Sequence, residues 1–286
     1  MKTYRFTFFD FVMYAIIVIV TLACFFPFIY VLLVSFTDPD VYVPYDFTLI
    51  PKKFSLKVYS SILWNGAFLQ SIQNTVYVTV VGTIISVFAT FAFSYGLTKK
   101  ELPFLKLFMW FVIFGLLFDP GIIANYMNVK ALGMINTYWS LILPAVMISW
   151  NVIIAKAFIE GIPGELEDAA KIDGCSYFGI FFRIILPLAT ASIATLTLFI
   201  AVNQWNQYIK PLLYINDFRK RTIQVYLKTL LVDATRIGTM DDGSNILPSE
   251  TVSLATVVLA MAPIMAVYPF VQRYFVKGVM IGSVKG

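Results

Sequence analysis

Residues 11–37 read FVMYAIIVIVTLACFFPFIYVLLVSFT and contain no charged side chain. An α-helix crosses the hydrocarbon core of a bilayer, about 30 Å, with about 20 residues, so this run is long enough to span a membrane. Lys2 and Arg5 precede it, as basic residues precede a secretory signal, but the apolar part of such a signal covers only about 7–15 residues. We therefore interpret the run as an uncleaved first transmembrane helix.

The composition of the whole chain agrees with a membrane protein. Of its 286 residues, 59% are apolar and 13% are charged, whereas about 25% of the residues of an ordinary soluble domain are charged. A soluble fold of this length needs more charge to cover its surface, and a lipid-facing fold does not. The composition argues against a soluble enzyme, a disordered chain and a repeat solenoid.

Further apolar stretches follow the first and are separated by polar or proline-containing loops. We predict an all-α polytopic membrane protein with a single transmembrane domain over residues 1–286. Its six transmembrane helices are expected at residues 11–36, 73–97, 104–123, 138–158, 184–214 and 252–275, and Asp119-Pro120-Gly121 is expected to break the third of them near its end. Prolines inside the fourth and sixth spans indicate a bundle that lines a cavity, because neighbouring helices or water must satisfy the freed carbonyls. Lys99 and Lys100, at the end of the second span, favour cytoplasmic termini by the positive-inside rule.

Several kinds of chemistry lack the residues that they need. The chain has no histidine and two cysteines, Cys24 and Cys175, so a Ser-His-Asp triad, a disulfide framework and a zinc site are not expected. The net charge of +5 is a mild excess, and its basic residues lie at the ends of apolar runs rather than on one face, as nucleic acid binding requires. We expect no catalytic residue, no metal, no nucleic acid partner and a surface that contacts membrane lipid.

One segment, residues 160–187, lies between the fourth and fifth spans. Its first part is too polar to lie in the membrane. Its sequence GIPGELEDAAKIDG, at 161–174, predicts a short helix. Pro163 suits the first helical position, the acidic residues that follow complement the positive end of the helix dipole, and Gly174 suits the position that ends the helix.

The faces of this short helix suggest what it packs against. Leu166 and Ala170 fall on one face, with Ala169 and Ile172 beside them. A helix of this length is marginal alone in water. It therefore lies either on the lipid headgroups or, through its small alanines, against a partner protein.

The spacing of the segment resembles a known signature. Asp168-Ala169-Ala170 is followed after two residues by Asp173-Gly174 and, nine residues later, by Ile184-x-Leu186-Pro187. This pattern resembles the EAA signature of permease subunits in bacterial ATP-binding-cassette (ABC) importers, with Asp168 where the family has glutamate. Within that family, the chain is similar to the carbohydrate class, to its maltose-permease-like second subunit and to the branch for polysaccharide-derived oligosaccharides. The stretches that carry this similarity are residues 132–144, 221–223 and 277–286.

The resemblance implies a type I ABC importer permease fold in the bacterial cytoplasmic membrane, with both termini and the 160–187 segment on the cytoplasmic side. The implied partners are a homologous permease subunit in a heterodimer, two ATPase subunits, an extracytoplasmic sugar-binding protein and an oligosaccharide substrate. This chain has no Gly-x-x-x-x-Gly-Lys-Ser/Thr loop, so ATP and Mg²⁺ are expected on the ATPase subunits and no cofactor in this chain. In the family the short helix docks into the ATPase, and the residues carried over to that contact are Glu165, Leu166, Asp168, Ala169, Ala170, Asp173 and Gly174.

A sugar site is predicted from polar and aromatic residues within the spans. Amides inside a membrane are costly unless they face a bundle interior or water, although some bond helix to helix instead. Helical spacing brings Asn203, Gln207 and Lys210 together and puts Trp205 on another side. The candidates are Asn203, Gln204, Trp205, Asn206, Gln207 and Lys210 in span five, Trp150 and Asn151 in span four, and Asn125 and Tyr126 beyond Pro120.

The charge of the cargo is a separate expectation. Lys210 and Lys130, near the outer mouth, add the option of a uronic-acid-containing oligosaccharide, because a partly desolvated carboxylate needs a cation. The alternative is that Lys210 extends to the lipid headgroups, as lysines near span ends do.

The alternative function is an ion-coupled secondary transporter or a channel. Such proteins use membrane-embedded acids to carry protons or sodium ions. Predicted spans one, two, four and five contain no acid, and Asp119 in the third is the one arguable case. An ATP-driven importer that works by alternating access is therefore the first hypothesis.

Overall fold

The structure, a computed structural model, describes residues 7–38, 41–43, 50–64, 66–237, 250–263 and 265–266. The helices of the described residues are α1 (Phe8–Ser35), α2 (Lys57–Leu63), α3 (Gly66–Leu97), α4 (Leu105–Leu117), α5 (Gly121–Ala131), α6 (Trp139–Ile142), α7 (Ser149–Glu160), α8 (Glu165–Ile172), α9 (Tyr177–Ile180), α10 (Leu186–Leu188), α11 (Thr190–Trp205), α12 (Ile209–Tyr214), α13 (Ile223–Ile237) and α14 (Glu250–Pro263). Short 3₁₀ turns follow α6 at Leu143–Ala145 and precede α13 at Phe218–Lys220, and a π-helical turn at Phe181–Ile185 joins α9 to α10.

The first helix, α1, covers the first predicted span. It begins at Phe8, where the Thr7 N–H donates to the Asp10 carboxylate over 2.7 Å and so satisfies one of the amides that a helix start leaves free. Its most apolar stretch of 18 residues contains no buried side chain. An apolar helix exposed in this way needs lipid or another protein chain around it. Both α1 and α3 are long and apolar enough to cross a membrane.

The described residues fall into two compact units, one within residues 1–68 and 227–263 and the other within 69–226 and 264–286. In the first unit, the hydroxyl groups of Ser35 and Tyr59 share a hydrogen bond of 2.6 Å. Lys53 pairs with Asp38 at 2.7 Å. These two contacts hold the segment that follows α1 against the C-terminal end of that helix.

The second unit contains the core that positions the functional residues, and α3 runs through all of it. Phe91 and Tyr95 of α3 belong to a buried cluster with side chains of α7, α8, α11 and the π-helical turn. Val78 belongs to a second cluster, with α5, α6 and α12. Leu97 belongs to a third, with α4 and α7. Helices α4–α8, α11 and α12 therefore share buried clusters with α3.

The third predicted span is broken at Asp119-Pro120-Gly121, as expected, and the fourth contains a bend that was not predicted. α4 ends at Leu117, and a new helix, α5, begins at Gly121 rather than the first continuing to residue 123. Proline at 120 has no N–H to continue the helix, and the φ of +78° at Gly121 turns the chain. The fourth span is bent by 49° between Trp139–Ala145 and Ser149–Glu160.

The prediction of one continuous helix over residues 184–214 is wrong. Tyr177–Leu188 and Thr190–Trp205 meet at an angle of 82°, and α11 ends well before residue 214. Pro187 accounts for the irregular turn before the bend, because its ring clashes with the carbonyl four residues earlier, that of Arg183, and it cannot donate a helical hydrogen bond. This turn is π-helical, at Phe181–Ile185, and α10 separates it from the bend.

The sixth predicted span is described only in part. α14 covers its first half, and most of the remainder to residue 275, like the tail 277–286, lies outside the described residues. Two long helices, two bent helix pairs and the shorter apolar helices α4 and α14 occupy the positions of the predicted spans. The count of six crossings and the single domain over residues 1–286 stay predictions.

Candidate functional site

The polar segment forms α8, which begins at Glu165 with Gly164 as its N-cap, later than the predicted start at Pro163. The backbone explains the shift. The Gly164 carbonyl accepts the Asp168 N–H over 3.0 Å, whereas the Pro163 carbonyl accepts the Leu166 N–H over 3.3 Å in a tighter turn. The acidic residues remain in the first turn of the helix, where they complement its dipole.

The end of α8 at Gly174 is confirmed. Its φ of +77° is a left-handed conformation that favours glycine. The Gly174 N–H donates to the Lys171 carbonyl over 3.0 Å, and the Cys175 N–H donates to the Ala170 carbonyl over 2.9 Å. These are the two hydrogen bonds of a Schellman motif, so a side chain at position 174 would strain the end of the helix.

The apolar residues of α8 divide between two sides of the helix, although the sequence suggested one continuous face. Ala170 is 7% exposed and packs in the core with α3 and α7. Leu166 and Ile172 are 43% and 87% exposed, and Ala169 is exposed with them. The spacing of these three puts them on one stripe, which we call the outer stripe of α8. Ala170 therefore serves the core of this chain, and the outer stripe is available to another protein.

An ion pair that the sequence analysis missed ties α8 to the end of α3. The Lys99 ammonium contacts the Glu167 carboxylate, and their side chains are only 15% and 14% exposed. From the sequence, Glu167 was one of several acids expected to complement the helix dipole. It lies 68 positions from Lys99. No local pattern in the sequence connects residues so far apart.

The other charges on α8 are more exposed. Asp168 and Lys171 pair at 3.4 Å on the same helix, with exposed side chains. Partial desolvation lowers the pKa of Lys171, but the hydrogen bond and charge of Asp168 outweigh this effect and raise that pKa above its ordinary value. Glu165 and Asp173 are exposed as well. The acidic residues predicted to meet a partner, unlike Glu167, point away from the core.

The break between α11 and α12 adjoins a cavity. α11 ends at Trp205 and α12 begins at Ile209, and non-helical backbone at membrane depth occurs where it lines a cavity or is buried in protein. The cavity has a volume of about 580 Å³ and is lined by Phe199, Val202, Asn203, Asn206, Gln207, Tyr208, Ile209 and Lys210. The structure therefore brings together four of the six predicted polar or aromatic residues of this span, plus Tyr208.

Gln204 and Trp205 do not line this cavity. They are 3% and 9% exposed, and Gln204 reaches Gly82 of α3 closely. The Gln204 Oε1 accepts a hydrogen bond from the Gln207 amide. Both side chains are therefore buried in the protein interior, and this hydrogen bond joins Gln204 to a residue three positions further along the chain.

The arrangement of the cavity also differs from helical spacing. Asn203, Gln207 and Lys210 do meet, but α11 ends before two of them, so the break rather than a continuous helix brings them together. Asn203 and Asn206 are exposed. Asp119, in the break after α4, is the acid whose charge acts on Lys210, and its carboxylate accepts the Gly121 N–H over 2.9 Å.

The remaining sugar candidates lie elsewhere in the second unit, and none of the four lines this cavity. Trp150 is 57% exposed and Asn151 is 7% exposed. The Asn125 amide donates to the Gly121 carbonyl over 2.9 Å, and the Tyr126 ring lies 6.1 Å from that of Tyr214. Internal contacts thus hold Asn125 and Tyr126, and Asn151 is buried. Trp150 faces outward.

A second group that the sequence analysis missed fixes the loop before α13. Asn74 of α3, 3% exposed, donates to the carbonyls of Arg219 and Arg221 over 2.8 and 2.9 Å. Tyr138 donates to the Asn74 carbonyl oxygen over 2.8 Å. The loop that leads into residues 221–223, one of the stretches similar to the carbohydrate class, is therefore bound to α3.

Within the described ranges, no three acidic or cysteine side chains come together in a way that could hold a metal ion. The fold instead combines apolar helices of membrane length, a polar cavity at a helix break and a polar helix with an exposed apolar stripe. Together these features define a polytopic membrane protein of the transport type.

The chain belongs to the family of binding-protein-dependent transport system inner membrane components, whose sequence model matches residues 84–281. It is similar to the polygalacturonan/rhamnogalacturonan transport system permease protein YtcP of Bacillus subtilis, with 42% identity over 281 residues, 97% of this chain and 98% of that one. It is also similar to Protein LplC of the same organism, with 43% identity over 262 residues, 91% of this chain and 89% of the relative. The resemblance to the ABC importer permeases is confirmed, and with it a multi-pass inner-membrane protein.

The fold has a counterpart among solved structures. A chain from a bacterial ABC transporter involved in the import of the acidic polysaccharide alginate matches with a TM-score of 0.87 and 27% sequence identity, over 96% of this chain and 100% of that one. This match confirms the all-α fold of an ABC importer permease.

Proposed function

We propose that this chain is one of two different permease subunits of an ATP-driven importer, and that its cargo is a polysaccharide-derived oligosaccharide, including those that contain uronic acids. The observation that carries the proposal is the cavity where Asn203, Asn206, Gln207 and Lys210 meet. Amides both donate to and accept from sugar hydroxyls, and the lysine is a counter-ion for a carboxylate that has lost part of its water. The relatives named for polygalacturonan and alginate, both acidic polymers, support this class of cargo.

The outer stripe of α8 supports an ATPase partner. Leu166, Ala169 and Ile172 are exposed although α8 lies outside the predicted spans. An exposed apolar surface on a short polar helix is typical of an interaction site. Because this chain has no phosphate-binding loop, we propose that ATP and Mg²⁺ bind to two separate ATPase subunits, and that this chain holds neither.

The exposed amides of the cavity support a second permease subunit. Asn203 and Asn206 are exposed in this chain, and an amide that faces lipid is costly. A homologous subunit would close the cavity and shield these groups. We further propose an extracytoplasmic sugar-binding protein as donor and cytoplasmic termini. The ion pair of Lys99 and Glu167 supports this orientation, because it puts the basic end of α3 beside α8.

The proposed mechanism is alternating access. Closure of the ATPase subunits on ATP would draw the α8 helices of the two permeases together and open the cavity outward. Sugar would then pass from the binding protein to the amides of the cavity, and hydrolysis would return the cavity to its inward-open form.

The test is transport by the complex that co-purifies with this chain. The tagged chain is isolated from its native membrane in mild detergent, and the complex is reconstituted in vesicles with its binding protein outside. We expect uptake of tri- and tetragalacturonate that requires ATP inside the vesicles, and a co-purified ATPase. ATP-independent uptake that follows a proton or sodium gradient would instead establish the ion-coupled alternative.

A further inference from the structure

The ion pair of Lys99 and Glu167 joins two elements that the proposed mechanism requires to move together. Lys99 follows the last turn of α3, where its N–H donates to the Gly96 carbonyl over 3.1 Å. Glu167 lies in the first turn of α8. Each side chain is about 85% shielded from solvent. A shielded pair is screened less by salt than a surface pair, and the loss of one partner leaves the other charge poorly compensated.

The lysine has a further contact that ties the pair to the core. Its ammonium lies 4.1 Å from the centre of the Tyr95 ring, within the range of a cation–π interaction. Tyr95 is 6% exposed, and its ring centre lies 5.4 Å from that of Phe181. Phe181 begins the π-helical turn that precedes the 82° bend. A contiguous set of contacts thus leads from α8 through Lys99 to α3 and to the bent segment.

The neighbouring ion pairs do not make such a connection. Lys171 and Asp168 lie on α8 itself, and Lys156 and Glu160 lie on α7. Among the ion pairs of the described residues, that of Lys99 and Glu167 is the one that links α8 to another helix. Glu101, just after α3, acts on Lys171 electrostatically, but without an ion pair.

We propose that Lys99 and Glu167 are a positioning pair that holds α8 at a fixed angle to the end of α3 and passes the movement of α8 to that helix. The proposal rests on the proposed function, because it assigns the pair a role in the coupling of ATP hydrolysis to transport. Without the pair, α8 keeps its helix caps, its contact through Ala170 and its outer stripe. It still binds the ATPase but passes less of its movement to α3.

The experiment compares Lys99→Met, Glu167→Gln and the exchanged double variant Lys99→Glu/Glu167→Lys in the purified complex. In each single variant we expect normal amounts of co-purified ATPase and normal basal hydrolysis. The stimulation of hydrolysis by loaded binding protein should fall at least about fivefold, the lower range of allosteric coupling. The exchanged variant restores the ion pair but not the contact with the Tyr95 ring, so its stimulation should be at least about twofold above that of either single variant, as a direct pairwise interaction requires.

Lys156→Met and Glu160→Gln are the matched controls, because they break an ion pair that lies within one helix and outside this set of contacts. Both should leave stimulation unchanged. If the single variants of Lys99 and Glu167 also keep full stimulation, or if the exchanged variant recovers none, the positioning role is wrong. Reduced assembly and melting temperature with normal stimulation per complex would assign the pair a purely structural role. A complex without any co-purified ATPase in the unmodified protein would contradict the proposed function itself.

Discussion

A β-carbon on Gly82 of α3 would lie 2.7 Å from the Nε2 atom of Gln204 in α11, closer than two unbonded heavy atoms of these types approach. Glycine at position 82 therefore lets the buried amide of Gln204 reach α3. The other end of that amide accepts a hydrogen bond from Gln207, which lines the polar cavity. The close contact of two helices and the shape of the cavity thus depend on the same side chain.

We expect Gly82→Ala to destabilise the protein by about 1–3 kcal/mol, the usual cost of an added methyl group in a packed interior. The clash is with a flexible amide, so Gln204→Ala in the same chain should recover most of the loss. Gly96→Ala is the control on the same helix, because its new β-carbon meets no atom within 4 Å. Thermal unfolding of the detergent-solubilised protein provides the measurement. A Gly82→Ala variant as stable as the control would show that α3 and α11 adapt freely.

Asn74 supplies a second prediction, on the loop before α13. Asn74→Leu leaves the carbonyls of Arg219 and Arg221 without their amide donor, at a cost of about 1–3 kcal/mol for each group left unpaired in the interior. We expect a lower melting temperature and faster trypsin cleavage after residues 219–221. Tyr138→Phe is the milder control, because Gln70 also donates to the Asn74 carbonyl oxygen, over 3.1 Å. Equal cleavage of Asn74→Leu and the unmodified protein would mean that the loop is held by other contacts.

The two sides of α8 predict opposite outcomes for the same substitution. Ala169→Arg adds a large charged side chain to the outer stripe and should leave the chain inserted and folded. It should weaken ATPase association at least about tenfold, or about 1.4 kcal/mol. Ala170→Arg puts an unpaired charge in the core and should lower the amount of folded protein instead. Co-purification and fluorescence-detected size exclusion distinguish the two outcomes.

Ala131→Arg is the control for this pair of substitutions, since Ala131 is exposed at the end of α5. It should change neither association nor folding. Gly174→Asp should behave like Ala169→Arg, with an added strain at φ of +77°. ATPase association that survives in both Ala169→Arg and Gly174→Asp would refute the docking role of α8.

Local patterns predicted much of this fold. The charge-free run of α1, the polar stretch of α8 and the glycine that ends it each carry their signal within a few residues, since hydropathy and helix caps are local properties. Asp119-Pro120-Gly121 indicated the interruption after Leu117, whereas the bend at Ala189 was not predicted. Proline marks both places, but a proline within a span can leave the helix continuous or break it, and the packing of neighbouring helices decides.

The sequence predicted which residue types form the candidate site, but not how these residues are arranged. The amides within residues 203–207 indicated a polar site. Which of them line the cavity and which are buried in the protein interior depends on where α11 ends. The pairing of Lys99 with Glu167 and that of Asn74 with the loop join residues 68 and about 145 positions apart. Such contacts are set by tertiary packing, for which a single sequence contains no periodic signal.

The cavity predicts how the substitutions of its polar residues change cargo selection. Asn203→Leu and Asn206→Leu remove exposed amides of the lining, and we expect uptake of neutral and acidic oligosaccharides to fall together, about tenfold for about 1.4 kcal/mol of lost hydrogen bonding. Gln207→Leu should do the same and also lower stability, because it breaks the bond to Gln204. Asn128→Leu is the matched control, an exposed amide of α5 outside the cavity.

Lys210→Gln should change only the uptake of charged sugars. A partly desolvated carboxylate needs a cation, so uptake of trigalacturonate should fall while uptake of a neutral trisaccharide of similar size is kept. Lys130→Gln serves as control, because Lys130 is exposed and does not line the cavity.

Asp119→Asn removes the acid that competes for Lys210 and retains an oxygen for the Gly121 N–H, so it should favour the acidic sugar. Equal loss of both sugars in Lys210→Gln would assign this lysine to hydroxyl binding. Unchanged uptake in all cavity variants at equal membrane levels would place the sugar contacts outside this cavity, for example on the proposed second permease.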